Sequence, residues 1–300
     1  INLVATSVPE LDKSQVTVAI LVAPAMNPRM WSASATQENW RCLLNRGVRG
    51  IGPACGAVAC GDQGQGKMSA VHEIFIATLA ALAPQDLAGL KIMLTVGPTR
   101  EHYDAARFWS NPSTGAMGAA LAVAAALRGA LVTVIHGPLS ITWPGSVTTI
   151  PVTSAQEMFE AAQDVFPSQD WGCFVAAVAD YAPPRAEAVK VKKGAGPLSL
   201  TFEPNPDILA TLSTAKKPHQ RTIGFAAEGE NLSFFAAEKL VKKNLDLIVA
   251  NPIDRSDAGF GAVTNKVLVM DRHGRQEKWP VLPKTEIAWR IWDWILLNSA

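Results

Sequence analysis

Three hundred residues, 48% apolar and 18% charged, suffice for one large or two modest domains with a sizeable core and exclude a disordered tail. Lysine plus arginine outnumber aspartate plus glutamate by 27 to 26, so no global field draws the chain to nucleic acid or a membrane surface, and any anion site must be local. No apolar run approaches the ~20 residues of a membrane span, and no signal peptide is visible. A cytoplasmic protein acting on small molecules is the expectation. Four cysteines, Cys42, Cys55, Cys60 and Cys173, form neither a C-x-x-C pair nor a disulfide framework, which fits reduced thiols.

In chain order, the sequence opens at Ile1 with no initiator methionine and reads as a fragment whose upstream part lies elsewhere. Thr17 to Val22 is a buried strand feeding the loop Ala23-Pro24-Ala25-Met26-Asn27. Ala35 to Leu44 is a helix, Val48 to Gly52 a short strand, Ala59 to Met68 (ACGDQGQGKM) a glycine-rich loop and Val71 to Leu82 a helix. A Pro/Gly-containing link, Ala83 to Gly89, then divides the chain into residues 1–85 and 86–300. Beyond it, the strands Lys91–Val96, Leu131–His136, Cys173–Ala179, Thr222–Ala226 and Leu245–Ala250 alternate with the helices Gly115–Arg128, Ala155–Val165, Pro206–Thr214 and Leu232–Lys242. Continuous apolar strands alternating with helices predict an α/β fold, a Rossmann-like, mostly parallel sheet covered on both faces. Thr264 to Met270 and Gln276 to Val281 form a terminal hairpin. Glu286 to Leu297 is a Trp-rich helix whose aromatic face is core packing.

Ligands of such sheets bind beyond the carboxyl ends of the strands, and four segments fall there. The first, Gly97 to Gly118 (GPTREHYDAARFWSNPSTGAMG), lacks the G-x-G-x-x-G fingerprint but brings Ser113, Thr114 and Gly115 to a helix start whose free amides suit phosphate oxygens, with Asn111 beside them. A capped helix with packing glycines accounts for the same residues. The second, Val175 to Pro184, ends an apolar strand in Asp180, and Lys190, Lys192 and Lys193 follow; turn chemistry and a solvated charge run are the ordinary readings. In the third, Glu203 to Leu209, Asn205 is the expected N-cap and Pro206 the first helical residue. The fourth sets Phe225 at a strand end and Lys239 and Lys243 on one helical face, where like charges repel by a few tenths of a kcal/mol. Together these features suit a nucleoside triphosphate held without a Walker loop.

The stretches GPTRE, RFWSNPSTGAMG, AAVADY, KVKK, NPDIL, GFAAE, KLVKKNLDLIVAN and GFGAVTN resemble, in order, the phosphopantothenoylcysteine synthetase/decarboxylase family of bacterial coenzyme A synthesis, over nearly all of Leu90 to Ala300. The resemblance implies a ligase of 4′-phosphopantothenate and cysteine working through an acyl-cytidylate, with CTP and Mg²⁺. The CTP contacts it implies are Phe174, Val175, Ala176, Asp180, Lys190, Pro206, Asp207, Ile208, Leu209, Phe225, Lys239 and Lys243. Asn111 and Lys190 are its catalytic residues, and Ser113, Thr114 and Gly115 join Asn111 around the substrate. Ala116 stands where the family commonly has Lys, and Gly229 where it has Thr; both border the site.

Residues 1–85 resemble the C-terminal part of the family's flavodoxin-like, FMN-dependent decarboxylase domain. Asn27 of APAMN matches a substrate-carboxylate contact, ACGDQGQGKM the flap that closes over substrate, and Cys60 its proton donor; Lys67 stands where Arg is usual. The resemblance implies that the catalytic histidine and most FMN contacts precede Ile1, leaving the decarboxylase incomplete here. It implies a homodimer through the ligase region, for which Asp254 to Val281 with its hairpin is the candidate contact, and a larger assembly where the flavin domain is complete; the balanced charge adds no expected nucleic-acid or membrane partner. Two other readings stay open on the residues alone. One is a short-chain-dehydrogenase-like NADP oxidoreductase, suggested by Tyr181 near lysines although its Gly fingerprint and Tyr-x-x-x-Lys pair are missing. The other is a non-catalytic nucleotide sensor.

Overall fold

The computed structural model describes residues 19–193, 196–229, 231–252 and 261–297. The chain divides into two compact units, Ile1–Pro84 and Gln85–Ala300.

In the first unit Leu21–Val22 pairs in parallel with Arg49–Gly50; Thr17 and Val18 of the expected strand lie outside the described residues. The helix Ser34–Asn45 matches expectation, and Pro28–Ser32 adds a short one before it. Asn27 caps that short helix, its Oδ1 accepting from Arg29 N at 2.8 Å, and Pro28 occupies the first helical position, where a missing N–H costs nothing. The glycine-rich stretch is not a plain loop. Ala54–Ala57 and Gln63–Lys67 form an antiparallel hairpin, because Gly56, Gly64 and Gly66 hold extended backbone at φ 149–153°, which side chains rarely adopt. A Cβ on Gly66 would collide with the Met26 carbonyl, so that glycine lets the hairpin lie against the APAMN loop.

The second unit carries an eight-stranded sheet. Its strands are β1 Lys91–Val96, β2 Leu131–His136, β3 Val147–Pro151, β4 Trp171–Phe174, β5 Arg221–Glu228, β6 Leu247–Pro252, β7 Leu268–Asp271 and β8 Gln276–Lys278. The spatial order is 3-2-1-4-5-6-7-8, with β1 to β6 parallel and β7 and β8 joining antiparallel. The first six follow the doubly wound Rossmann order. Helices α1 Ala116–Leu127, α2 Ala155–Val165, α3 Ile208–Thr214, α4 Leu232–Lys242 and α5 Lys284–Leu296 cover the sheet. Alternate residues of one strand serve opposite faces, as the pleat requires: Ile92, Leu94 and Val96 pack in the core with α1 and α5, Met93 in the core with α2 and α3.

The Trp-rich helix is core, as expected. Trp292 is fully buried, stacks on Trp171 at 5.9 Å between ring centres, and donates Nε1–H to the Leu121 carbonyl at 3.1 Å. Gly118 allows α1 onto the sheet, since a Cβ there would press into Val96. Arg128, the C-cap of α1, is buried between Asp86 and Asp293, each 2.7 Å away.

Three expectations are corrected, and one strand, β3, was not foreseen. β3 carries no continuous apolar run, because as an edge strand it buries only Val147. β4 stops at Phe174: the apolar residues after it leave the ladder to form a wall described below. β5 runs on to Glu228, so Phe225 lies within the strand, not at its end. α3 begins after Asp207, whose carboxylate accepts from Ala210 N at 2.9 Å, which displaces Asn205 as N-cap and leaves Pro206 before the helix. The terminal hairpin is present as β7 and β8. Asp271 Oδ1 shapes its turn by accepting from His273 N (2.8 Å) and Arg275 N (3.1 Å). Residues 254–260 of the expected dimer segment lie outside the described residues.

Candidate functional site

Strand order reverses between β1 and β4, and a cleft of about 500 Å³ opens there, at the carboxyl ends of β1, β4 and β5. Such a crevice is where doubly wound sheets bind ligands. Its floor is Thr95 and Phe174; its wall is Val175 to Asp180. Four interactions hold that wall. Val175 N and Ala177 N donate to the carbonyls of Thr95 (3.1 Å) and Gly97 (2.9 Å), Ala179 N donates to Thr99 Oγ1 (3.0 Å), and Asn205 Nδ2 donates to Ala179 O (2.8 Å). Asn205 is therefore a strut for the wall and not a helix cap.

Asn111 reaches the cleft from an unforeseen hairpin, Arg100–His102 with Phe108–Ser110. Its Nδ2 donates to the carbonyls of Ala177 (3.2 Å) and Val178 (3.0 Å), which fixes the side chain and leaves Oδ1 for a ligand. Ser113, Thr114 and Gly115 line the cleft next, before α1. Gly115 takes φ 72°, a left-handed conformation that favours glycine, and its amide is held by Ser113 Oγ at 3.2 Å. One of the helix-start amides is thus already engaged, while those of the first turn of α1 face the anion position of a helix N-terminus. Ala116 also lines the cleft; Gly229 is exposed and lies outside its lining.

Across the cleft stand Pro206, Asp207, Ile208 and Leu209, then Phe225, then Lys239 and Lys243 at the end of α4. The two lysines meet no isolated repulsion. Lys239 lies in the last turn of α4 and Lys243 is its C-cap, where the helix dipole favours cations, and Lys243 Nζ pairs with Asp207 Oδ2 at 2.7 Å. Burial pushes the Asp207 carboxyl up, but the Lys243 hydrogen bond, the Ala210 amide and the lysine charges outweigh it, so the group titrates below the ordinary carboxylate range.

Sequence reasoning missed Asn251, Asn265 and Lys284, which close the far side. Lys284 is buried, and loss of water lowers its pKa. One signal was legible: a lysine in the first turn of a helix opposes the helix dipole, and Lys284 opens α5. Lys190 does not line the cleft. It is exposed, on the segment between Glu187 and Val191.

In the first unit, Asn27 and Cys60 come together as a pair. Asn27 Nδ2 lies 3.0 Å from Cys60 Sγ and 2.5 Å from Asp62 Oδ2, so the loop tip of the hairpin is tied to the APAMN loop through one amide. Lys67 is exposed on the hairpin's second strand. Among the described residues no group of three or more His, Cys, Asp or Glu side chains could enclose a metal ion, and no helix is long and apolar enough to cross a membrane.

The family described as DNA/pantothenate metabolism flavoprotein C-terminal domain matches residues 87–298, and the family described as Flavoprotein matches residues 2–83. The coenzyme A biosynthesis bifunctional protein CoaBC of Haemophilus influenzae is 42% identical over 270 residues, which span 90% of this chain and 67% of that protein. The protein of the same name from Bacillus subtilis is 39% identical over 279 residues, 92% of this chain and 68% of that one. A crystal structure of the C-terminal domain of a CoaBC protein superposes with a TM-score of 0.62 at 36% identity, covering 72% of this chain and 98% of that domain. The chain thus spans about two thirds of the length of these curated relatives.

Proposed function

The chain belongs to the family of coenzyme A biosynthesis bifunctional proteins, and on that premise we propose that its switch-point cleft binds CTP and forms an acyl-cytidylate. The protein is a phosphopantothenate–cysteine ligase; neither a dehydrogenase nor a passive nucleotide sensor finds support.

The observation that carries the CTP reading is the convergence, in one cleft, of a helix start, an aromatic ring and paired lysines from three separate elements of the chain. A carboxylate is a poor acyl donor to an amine, and a nucleotide step supplies the leaving group. The carboxylate of 4′-phosphopantothenate attacks the α-phosphorus and expels pyrophosphate; the amine of cysteine then displaces CMP. Lys239 and Lys243 neutralise the triphosphate, Lys243 exchanging its Asp207 partner for phosphate oxygens. Phe225 offers a face to the base, and Asn111 Oδ1 stands at the reacting end, where an acceptor orients the incoming amine. Lys190 is assigned to the charge that develops at the α-phosphate, a task preorganised cations perform; it reaches that place by movement of its segment. Magnesium fits as an ion that arrives on the phosphates, because it keeps its waters and needs few protein ligands, and no enclosing carboxylate cage exists among the described residues.

For the first unit the reading is the substrate side of an FMN-dependent decarboxylase. The Asn27 amide that now engages Cys60 and Asp62 suits a carboxylate, and Cys60 donates a proton. FMN, when bound, supplies the redox chemistry that precedes that protonation. We assign the protein to the cytoplasm and to a homodimer through the ligase unit, whose antiparallel edge strand β8 is exposed along its length.

The test is incubation with 4′-phosphopantothenate, cysteine and either CTP or ATP, with pyrophosphate as readout. CTP-dependent release is expected; release with ATP alone, or none, overturns the reading.

A further inference from the structure

The segment that carries Lys190 is exposed, yet its neighbour Val191 is gripped at both backbone groups. Val191 N donates to Asp104 Oδ2 at 3.1 Å, and Val191 O accepts from Arg107 Nη2 at 2.6 Å. Asp104 and Arg107 are themselves an ion pair, with Arg107 Nη2 and Nε at 2.8 and 3.1 Å from the same Oδ2. The other carboxylate oxygen, Oδ1, accepts from the amides of Ala106 and Arg107, both at 2.8 Å. Four residues before Val191, Glu187 N donates to Tyr103 O at 2.9 Å and Glu187 pairs with Asp104 as an isolated parallel bridge.

A turn at residues 104–107 needs only the Oδ1 bonds. The second oxygen and the guanidinium are spent on a segment 84 or more residues away. Asp104 is 1% exposed, and a buried charge is costly unless every lone pair is used. Burial alone would raise its pKa, but the three amides and Arg107 bring it down to about 2, so the grip stays charged at any physiological pH. The turn is also the tip of the hairpin Arg100–His102/Phe108–Ser110, and the residue after that hairpin is Asn111. One ion pair therefore ties the Lys190 segment to the hairpin that delivers Asn111.

We propose that Asp104, acting with Arg107, is a positioning residue for the ligase reaction: it fixes the root of the Lys190 segment so that Lys190 swings to the α-phosphate in register with Asn111. The inference rests on the assignment of Lys190 made above. Asp104 touches neither nucleotide nor substrate; it acts through the backbone at Val191.

The test is a double-mutant cycle on the full chain, reading pyrophosphate release at saturating CTP, KM for CTP, and the melting temperature. Asp104→Asn keeps the size of the side chain and removes its charge. A misplaced catalytic group costs on the order of 10- to 100-fold in rate, so kcat is expected to fall by that much while KM for CTP stays within about threefold, since Lys239 and Lys243 are untouched. In a Lys190→Gln background the same substitution is expected to add almost nothing, because coupled residues are non-additive. Arg107→Lys retains Asp104 and the charge but loses the fork that reaches Val191 O; it is expected to lower kcat in the same coupled manner, and it carries the cycle where Asp104→Asn fails to fold. Equal losses in both backgrounds, with Lys190→Gln itself defective, overturn the clamp and leave the Lys190 assignment standing. Normal turnover by Lys190→Gln alone overturns that assignment and the clamp with it.

Discussion

Two twelve-residue helices, Val71–Leu82 in the first unit and α1 in the second, are both mostly apolar, and they fare differently. α1 buries six residues, among them Met117, Leu121 and Ala125. Val71–Leu82 buries none, and Val71, Phe75 and Leu82 are 73%, 59% and 70% exposed. Composition makes each a helix; what packs against it makes one of them core. α1 lies between the sheet and α5, with Gly118 admitting Val96 and Trp292 reaching Leu121. Among the described core residues of the first unit only Trp31 is a buried hydrophobe. The sites follow the same contrast: the second unit holds its cleft wall with backbone bonds and with the side chains of Thr99, Asn111 and Asn205, whereas the first joins Asn27 and Cys60 through one amide.

Truncating the second unit's core should give the largest effect. Trp292→Ala removes a fully buried indole, and losses of about 3–5 kcal/mol are usual for such a change. Phe75→Ala, on the exposed helix, should stay within about 0.5 kcal/mol. Chemical denaturation of both variants checks the pair, and similar losses would erase the distinction drawn between the helices.

Next comes Lys190→Gln, which should slow pyrophosphate release by on the order of 10²–10³ with an unchanged melting temperature, since the side chain is exposed. A variant that turns over at the normal rate would make Lys190 a solvated surface lysine.

Lys243→Gln sharpens the picture of the cleft. It should raise the KM for CTP by roughly 10-fold, the worth of a hydrogen bond to a charged group, and leave kcat closer to normal than Lys190→Gln does. Isothermal titration with CTP measures it independently; unchanged affinity would mean that Lys243 serves Asp207 alone.

The smallest effect concerns acid. The folded pKa of Asp104, about 2, lies below its unfolded value, so its contribution to stability is complete above about pH 4 and is lost as the pH falls toward 2. Acid unfolding of the second unit should be shallower over that window in Asp104→Asn. A profile identical to the parent's would show that the carboxylate is not held as its hydrogen bonds imply.

Much of the second unit was legible because the central parallel strands are apolar on both faces and each helix repeats at its own period. Lys91–Val96, Leu131–His136 and Ala155–Val165 were read with the bounds the structure gives them. Misreadings fell where burial is one-sided or glycine chemistry intervenes: the edge strand Val147–Pro151, the hairpin of extended glycines at residues 54–67, and the exchange of Asn205 for Asp207 as helix cap. A linear pattern does not distinguish two polar residues two positions apart that both suit a cap.

Sequence by itself determined the α/β class, the family, the strand-end segments and most of the side chains that line the cleft, because residue type and local period are local properties. Tertiary structure alone decided which segments face one another. It brought Lys284 and Asn265 to the cleft from the far end of the chain, gave Lys243 its Asp207 partner, and set Lys190 outside the cleft with Val191 in the grip of Asp104 and Arg107. Those pairings span tens of residues and depend on strand order, and strand order follows from how whole layers bury their faces against one another.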